Sequence, residues 1–193
     1  MKPVDISEIR ALPDYERGRD EFRKHVLAIK EPRRVTVGNH LTVLFENRDT
    51  VLYQIQEMLR VEHITDPAAV AHEVETYNEL VPGRDELTAT LLIEFEEASE
   101  RAVMLRALVG LERRVKIEID GCQPCAAVFD DRQMSPDKIS SVHYIRFPLG
   151  KERAAALKSG AAAEVVADHP RLSARSALSA VQRAALAEDL GAA

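Results

Sequence analysis

Cys122-Gln123-Pro124-Cys125 holds both cysteines of the chain at the spacing used for thiol–disulfide exchange. That chemistry needs a helix N-terminus behind the first thiol to lower its pKa. Here the pair follows Ile117–Ile119 and the turn Asp120-Gly121, and Ala126–Phe129 reads as a returning strand. The cysteines are therefore expected at a hairpin tip with no helix to activate them. Two thiols also fall short of the four ligands of a structural zinc site. Incidental loop cysteines are the better reading.

Carboxylates offer more. The stretch Phe45-Glu46-Asn47-Arg48-Asp49-Thr50 leads into a helix whose polar flanks carry Tyr53, Gln56, Glu57 and Arg60. The helical period stacks Tyr53, Glu57 and Arg60 at i, i+4 and i+7, which holds a carboxylate between a phenol and a guanidinium. Such a trio could fix a small polar ligand or position a general acid–base group. A plain Glu57–Arg60 pair on an amphipathic helix accounts for the same residues. On the next helix Glu73 and Asn78 border the apolar stripe, whereas His72, Glu75 and Glu79 point away from it. His72 and Glu75 have the i, i+3 spacing of carboxylate-bridged di-iron ligands, but the pattern occurs once and on the wet face. In His143-Tyr144-Ile145-Arg146-Phe147, strand alternation puts His143 on the core side. A buried histidine needs a hydrogen-bond partner, and Glu46, Glu57 or Glu73 is expected to supply it.

These residues define one candidate site. Glu57, Glu73 and His143 are its acid–base groups, and Arg60 would hold an anionic group. Glu46, Asn47, Gln56, Tyr77, Asn78 and Tyr144 would contact a ligand. A narrower version places a metal ion among His72, Glu73, Glu57 and His143, iron or manganese in preference to zinc because carboxylates dominate.

The elements that must position them follow from period and turn chemistry. A short capped helix at Asp5–Glu8 precedes a helix from Asp14 to Lys30, closed by Pro32. The period then changes to two: Arg34–Val37 and Leu41–Glu46 are strands around the loop Gly38-Asn39-His40. The first of the two central helices has Asp49 or Thr50 as cap and buries Val51, Leu52, Ile55, Met58 and Leu59; the second has Asp66 as N-cap, Pro67 as first residue, and Val70, Val74, Tyr77 and Val81 on its stripe. Strands are expected at 87–95, 114–119 and 141–149, with a last one at 163–168. Helices are expected at 99–108, 151–158 and 179–190. The strands arrive as a hairpin and then singly, without a βαβ rhythm. The layout this predicts is α+β, an antiparallel or mixed sheet with helices packed mainly on one face. No linker divides the chain, so residues 1–190 read as one domain with a frayed tail at 191–193.

Composition narrows the function classes. Among 193 residues 46% are hydrophobic and 30% charged, the balance of an ordinary globular protein. The net charge of −6 argues against nucleic acid as a partner. The basic pairs Arg33-Arg34 and Arg113-Arg114 read as solvated strand edges. No apolar run suits a membrane span, and the opening Met1-Lys2-Pro3-Val4-Asp5 lacks a secretory pattern, so a cytoplasmic location is expected. There is no phosphate-binding glycine loop, nucleophile elbow or HExxH zinc motif.

One resemblance covers nearly the whole chain. The block Phe45-Glu46-Asn47, Thr50, Gln56-Glu57-Met58, Arg60 and Glu62, together with His72-Glu73, Tyr77-Asn78, Leu80-Val81-Pro82 and His143-Tyr144, resembles domain-of-unknown-function family 3501. The resemblance implies a bacterial protein without an established activity. It further implies an accessory role beside rubrerythrin-like proteins or iron–sulfur oxidoreductases, in peroxide defence or electron transfer. The cysteine pair is not part of that pattern. A homodimer through an exposed strand edge is compatible with the sequence but marked by no specific feature.

Overall fold

The computed structural model describes residues 1–133 and 135–191. After a 3₁₀ turn at Ile6–Glu8, α1 spans Leu12–Lys30, and a second 3₁₀ turn at Glu31–Arg33 feeds the hairpin β1 (Arg34–Val37) and β2 (Leu41–Glu46). Then come α2 (Arg48–Val61), α3 (Pro67–Asn78), β3 (Glu86–Ile93), α4 (Ala98–Ala107) and β4 (Val115–Ile119). The two-residue strands β5 (Cys125–Ala126) and β6 (Val128–Phe129) precede β7 (Val142–Pro148), α5 (Gly150–Lys158), β8 (Ala163–His169), β9 (Leu172–Ala177) and α6 (Ala180–Gly191). The fold is α+β, as expected, and among the described residues every strand pairing is antiparallel, one of the two arrangements the sequence left open.

The strands divide between two sheets, ordered β1-β2-β3-β7-β6 and β5-β4-β8-β9. Their inner faces share one core, in which Val43, Phe45, Leu91, Ile145 and Phe147 of the first sheet belong with Ile117, Val165 and Ala167 of the second. Leu105 of α4, Leu157 of α5 and Leu186 of α6 complete it. The outer face of the first sheet is covered by α2 and α3, whose Val51, Ile55, Leu59 and Val74 form a second core with Leu80 and Val81. Both faces of β2 are thus sealed, and all six of its residues are buried. Gly38, in the β1–β2 turn, combines φ +65° with a close approach: a Cβ there would lie 2.7 Å from that of Ala174 on β9. Only glycine meets both demands.

Four sequence expectations change. The cap of α2 is Asn47, two residues before Asp49 and three before Thr50: its side chain accepts from the Thr50 backbone at 3.0 Å, while the Thr50 hydroxyl accepts from the Asn47 amide at 2.9 Å. The strand at 163–169 is not the last, because Arg171 turns the chain into β9. The stretch 126–129 is not one strand. Cys125–Ala126 pairs with β4 in one sheet, Val128–Phe129 pairs with β7 in the other, and the Ala127 amide between them donates to Val115. Arg33 is no solvated edge residue but is 7% exposed and ion-paired with Asp189. At the C-terminus Gly191 ends α6, and residues 192–193 of the expected frayed tail lie outside the described residues.

Candidate functional site

The sequence-derived candidates do not form one site but separate into five environments. Gln56, Glu57, Arg60 and Asn78 serve the helical layer. Gln56 is 1% exposed and pairs its amide with the backbone of Arg10, accepting at 2.7 Å and donating at 3.3 Å. Asn78 does the same to Val4, accepting at 2.7 Å and donating at 2.9 Å. Both amides act like a borrowed strand partner, fixing the N-terminal segment to the helices.

Glu57 is held between a phenol and guanidinium groups, but the phenol is Tyr15 of α1 rather than Tyr53. The Tyr15 hydroxyl donates to it at 2.7 Å, Arg19 donates bidentately at 2.7 and 2.8 Å, and Arg60 donates at 3.3 Å. Tyr53 instead meets the edge of Phe22 and receives the Lys30 ammonium 5.4 Å from its ring centre. The Arg19 guanidinium, aided by Tyr15 and Arg60, lowers the Glu57 pKa to about 2. At neutral pH this carboxylate carries no proton to give, and its contacts tie α1 to α2. Its stabilising contribution is complete above the ordinary value of 4.5 and is lost as the pH falls toward about 2. Urea midpoints measured from pH 7 to pH 2.5 should therefore decline more gently in Glu57→Gln, which should cost about 2 kcal/mol at pH 7.

Glu46 and Asn47 are buried where β2 meets α2. The Glu46 carboxylate is 1% exposed and accepts from the Thr50 hydroxyl, from Gln54 at 2.7 Å and from the Thr90 hydroxyl at 2.6 Å. Its partners are all neutral. Asn47 caps α2 and reaches Asp189 at 3.4 Å.

Glu73, Tyr77 and Tyr144 are brought together. They line a cleft of about 520 Å³ between α3 and the β6–β7 edge, with Leu80, Val128, Phe129 and Ile145 as apolar surface. The alternation of β7 aims Tyr144 outward at α3, and the α3 period brings Tyr77 over it. Burial, reinforced by the Tyr144 phenol, raises the Tyr77 pKa, and burial raises that of Tyr144. Both phenols stay protonated, and each lies within reach of the other. Arg132 closes one side of the rim, paired with Asp130 and with Glu79 at the end of α3. Glu73, Glu79, Asp130 and Asp131 against Arg132 and Arg146 leave the lining acidic on balance. The sequence reading missed Phe129, Asp130 and Arg132, because nothing in a local period says that residues 128–133 fold back onto α3.

His143 lies on the opposite face of β7, inside the shared core and 1% exposed, where Glu46, Glu57 and Glu73 cannot reach it. The expected carboxylate partner is absent: neither ring nitrogen makes a hydrogen bond with a described residue. Burial lowers its pKa, and the Ser140 carbonyl and Glu112 carboxylate oppose that only in part. His72 is exposed on α3. The proposed metal set of His72, Glu73, Glu57 and His143 does not converge, and no group of three or more His, Cys, Asp or Glu suited to a metal occurs among the described residues. Cys122 and Cys125 are free thiols, and burial raises the Cys125 pKa, opposite to what a reactive thiolate requires. No helix among the described residues is long and apolar enough to cross a membrane.

Comparison with known proteins gives the same architecture without an activity. A crystal structure of a novel protein of unknown function from Burkholderia pseudomallei superposes with a TM-score of 0.92 at 36% identity, covering 98% of this chain and 100% of the other. No curated protein matches the chain. The family described as "Protein of unknown function (DUF3501)" matches residues 3–190. The chain belongs to that family.

Proposed function

We propose that the protein is a binding or accessory protein whose recognition site is the cleft between α3 and the β6–β7 edge. The observation that carries this reading is the convergence of Glu73, Tyr77 and Tyr144 over an apolar floor in one concave space. Ligand sites have this make-up, mostly apolar walls with a few convergent polar groups. The acidic excess of the rim favours a neutral or cationic ligand over an anion. Two protonated phenols would orient it and Glu73 would face its positive end.

In this reading the chain contributes recognition rather than electron transfer. A rubrerythrin-like or iron–sulfur partner, which the family resemblance implies, would supply any redox centre itself.

The test uses two probes with the same ring and opposite charge. Benzylamine should shift the Tyr77 and Tyr144 ring signals in NMR spectra saturably at millimolar concentration, and benzoate should not. Glu73→Gln should weaken benzylamine binding about three- to tenfold. Failure of both probes to move either tyrosine would overturn the reading.

A further inference from the structure

The charges that line the cleft are not all spent within the chain. Arg132 is spent, because its guanidinium pairs with Asp130 and with Glu79. Arg132, and to a smaller degree Arg146, holds the Asp130 carboxyl below its ordinary range, but both Asp130 oxygens accept from Arg132 Nε, at 2.9 and 3.1 Å. Asp131 is exposed at the rim. Two charges remain. Glu73 on α3 is half-buried and Arg146 on β7 is exposed, and neither makes an ion pair or a side-chain hydrogen bond among the described residues.

Each shares a face with one of the phenols. Tyr144 and Arg146 are alternate residues of β7 and point the same way, while Glu73 and Tyr77 stand one turn apart on α3. Their order along the cleft follows from the sheet register. Thr88 of β3 lies opposite Arg146 and donates its hydroxyl proton to the Leu80 carbonyl, so the chain just past α3 is level with Arg146. Glu73 lies two turns before Leu80, about 10 Å back along the helix. Arg146 and Glu73 therefore flank the two phenols from opposite ends. Between them Val128, opposite Arg146 in the β6–β7 ladder, is left 53% exposed.

We propose that the cleft takes a zwitterion with its amine and carboxylate at opposite ends of a flat apolar body: the amine on Glu73, the carboxylate on Arg146, and the body over the two phenols. The acidic excess of the lining disfavours a bare anion, and a carboxylate becomes acceptable when the same molecule brings an amine to Glu73. A ligand with only a cation leaves the guanidinium unused. The inference deepens the reading of the cleft as the recognition site and rests on it.

4-(Aminomethyl)benzoate is benzylamine with a carboxylate added at the far end of the ring, and phenylglycine is its isomer with both charges on one carbon. Titrated into the full chain and followed by the Tyr77 and Tyr144 ring signals, 4-(aminomethyl)benzoate should bind about three- to tenfold tighter than benzylamine, and phenylglycine no tighter. The Arg146 Nε–H signal should move with 4-(aminomethyl)benzoate and stay in place with benzylamine. Arg146→Gln should keep its Tm, since no hydrogen bond is lost, and should remove the advantage without weakening benzylamine. Equal affinities for 4-(aminomethyl)benzoate and benzylamine, an advantage that survives in Arg146→Gln, or phenylglycine matching 4-(aminomethyl)benzoate would overturn the assignment, while tyrosine shifts with benzylamine keep the cleft reading intact. Should Arg146→Gln fail to fold, the Arg146 signal in the unsubstituted protein decides: no movement with 4-(aminomethyl)benzoate overturns the proposal. Absence of any response to the three amines would remove the cleft reading and this inference with it.

Discussion

Asp189→Ala is expected to destabilise the protein by about 3–5 kcal/mol, read from urea or thermal unfolding. Asp189 is 4% exposed and receives a bidentate pair from Arg33 at 2.7 and 2.9 Å, while a third guanidinium nitrogen donates to the Ile29 carbonyl at 2.8 Å. Removing the carboxylate leaves a guanidinium in a site that is 7% exposed, with nothing to balance its charge. The cost is that of the stranded cation, not the net worth of the pair. The double substitution Arg33→Met with Asp189→Leu should therefore recover most of the loss. A double variant as unstable as the single one would mean that the shape of the pair, rather than its charge balance, is what α6 needs.

Glu46→Ala should cost about 3 kcal/mol, and Glu46→Gln no more than about 1 kcal/mol. Alanine strands the Thr90 hydroxyl and the Gln54 amide, which both donate to Oε1, and opens a cavity between β2 and α2. Glutamine can keep a carbonyl oxygen at Oε1 for both. The Thr50 hydroxyl that loses Oε2 already has the Asn47 carbonyl within 3.0 Å as a second acceptor. Unfolding curves of the two variants side by side check this. A glutamine variant as damaged as the alanine one would show that the negative charge matters, and Lys30 is the cation that senses it.

Much of the fold was legible because the governing patterns are local. The β1–β2 hairpin and the Asp66–Pro67 start of α3 appear where period and cap chemistry put them. Alternation also placed His143 on the core side and Tyr144 opposite it. What the sequence could not show is which distant groups meet. Tyr15 rather than Tyr53 serves Glu57, because α1 packs across α2 and its Arg19 arrives with the phenol. Arg33 finds Asp189 across 156 positions, and an aspartate in an alanine-rich helix near the end of the chain was the one available hint. Candidates that shared a helix face in the sequence, such as Glu57 and Arg60, turned out to brace neighbouring helices. Those that line the cleft had to wait for residues 128–133 to fold back onto α3.

The division of residues 125–129 between two sheets has a mechanical consequence. Cys125–Ala126 hydrogen-bonds to Lys116 and Ile117, and two residues later Val128–Phe129 hydrogen-bonds to Ile145 and Arg146. With Ala127 as the only slack, displacement of one short strand pulls directly on the other. The cleft wall therefore works as a lever arm whose far end is the second sheet. Strain introduced at Phe129 is passed to β4 through five residues of backbone, a short and stiff route between the two sheets.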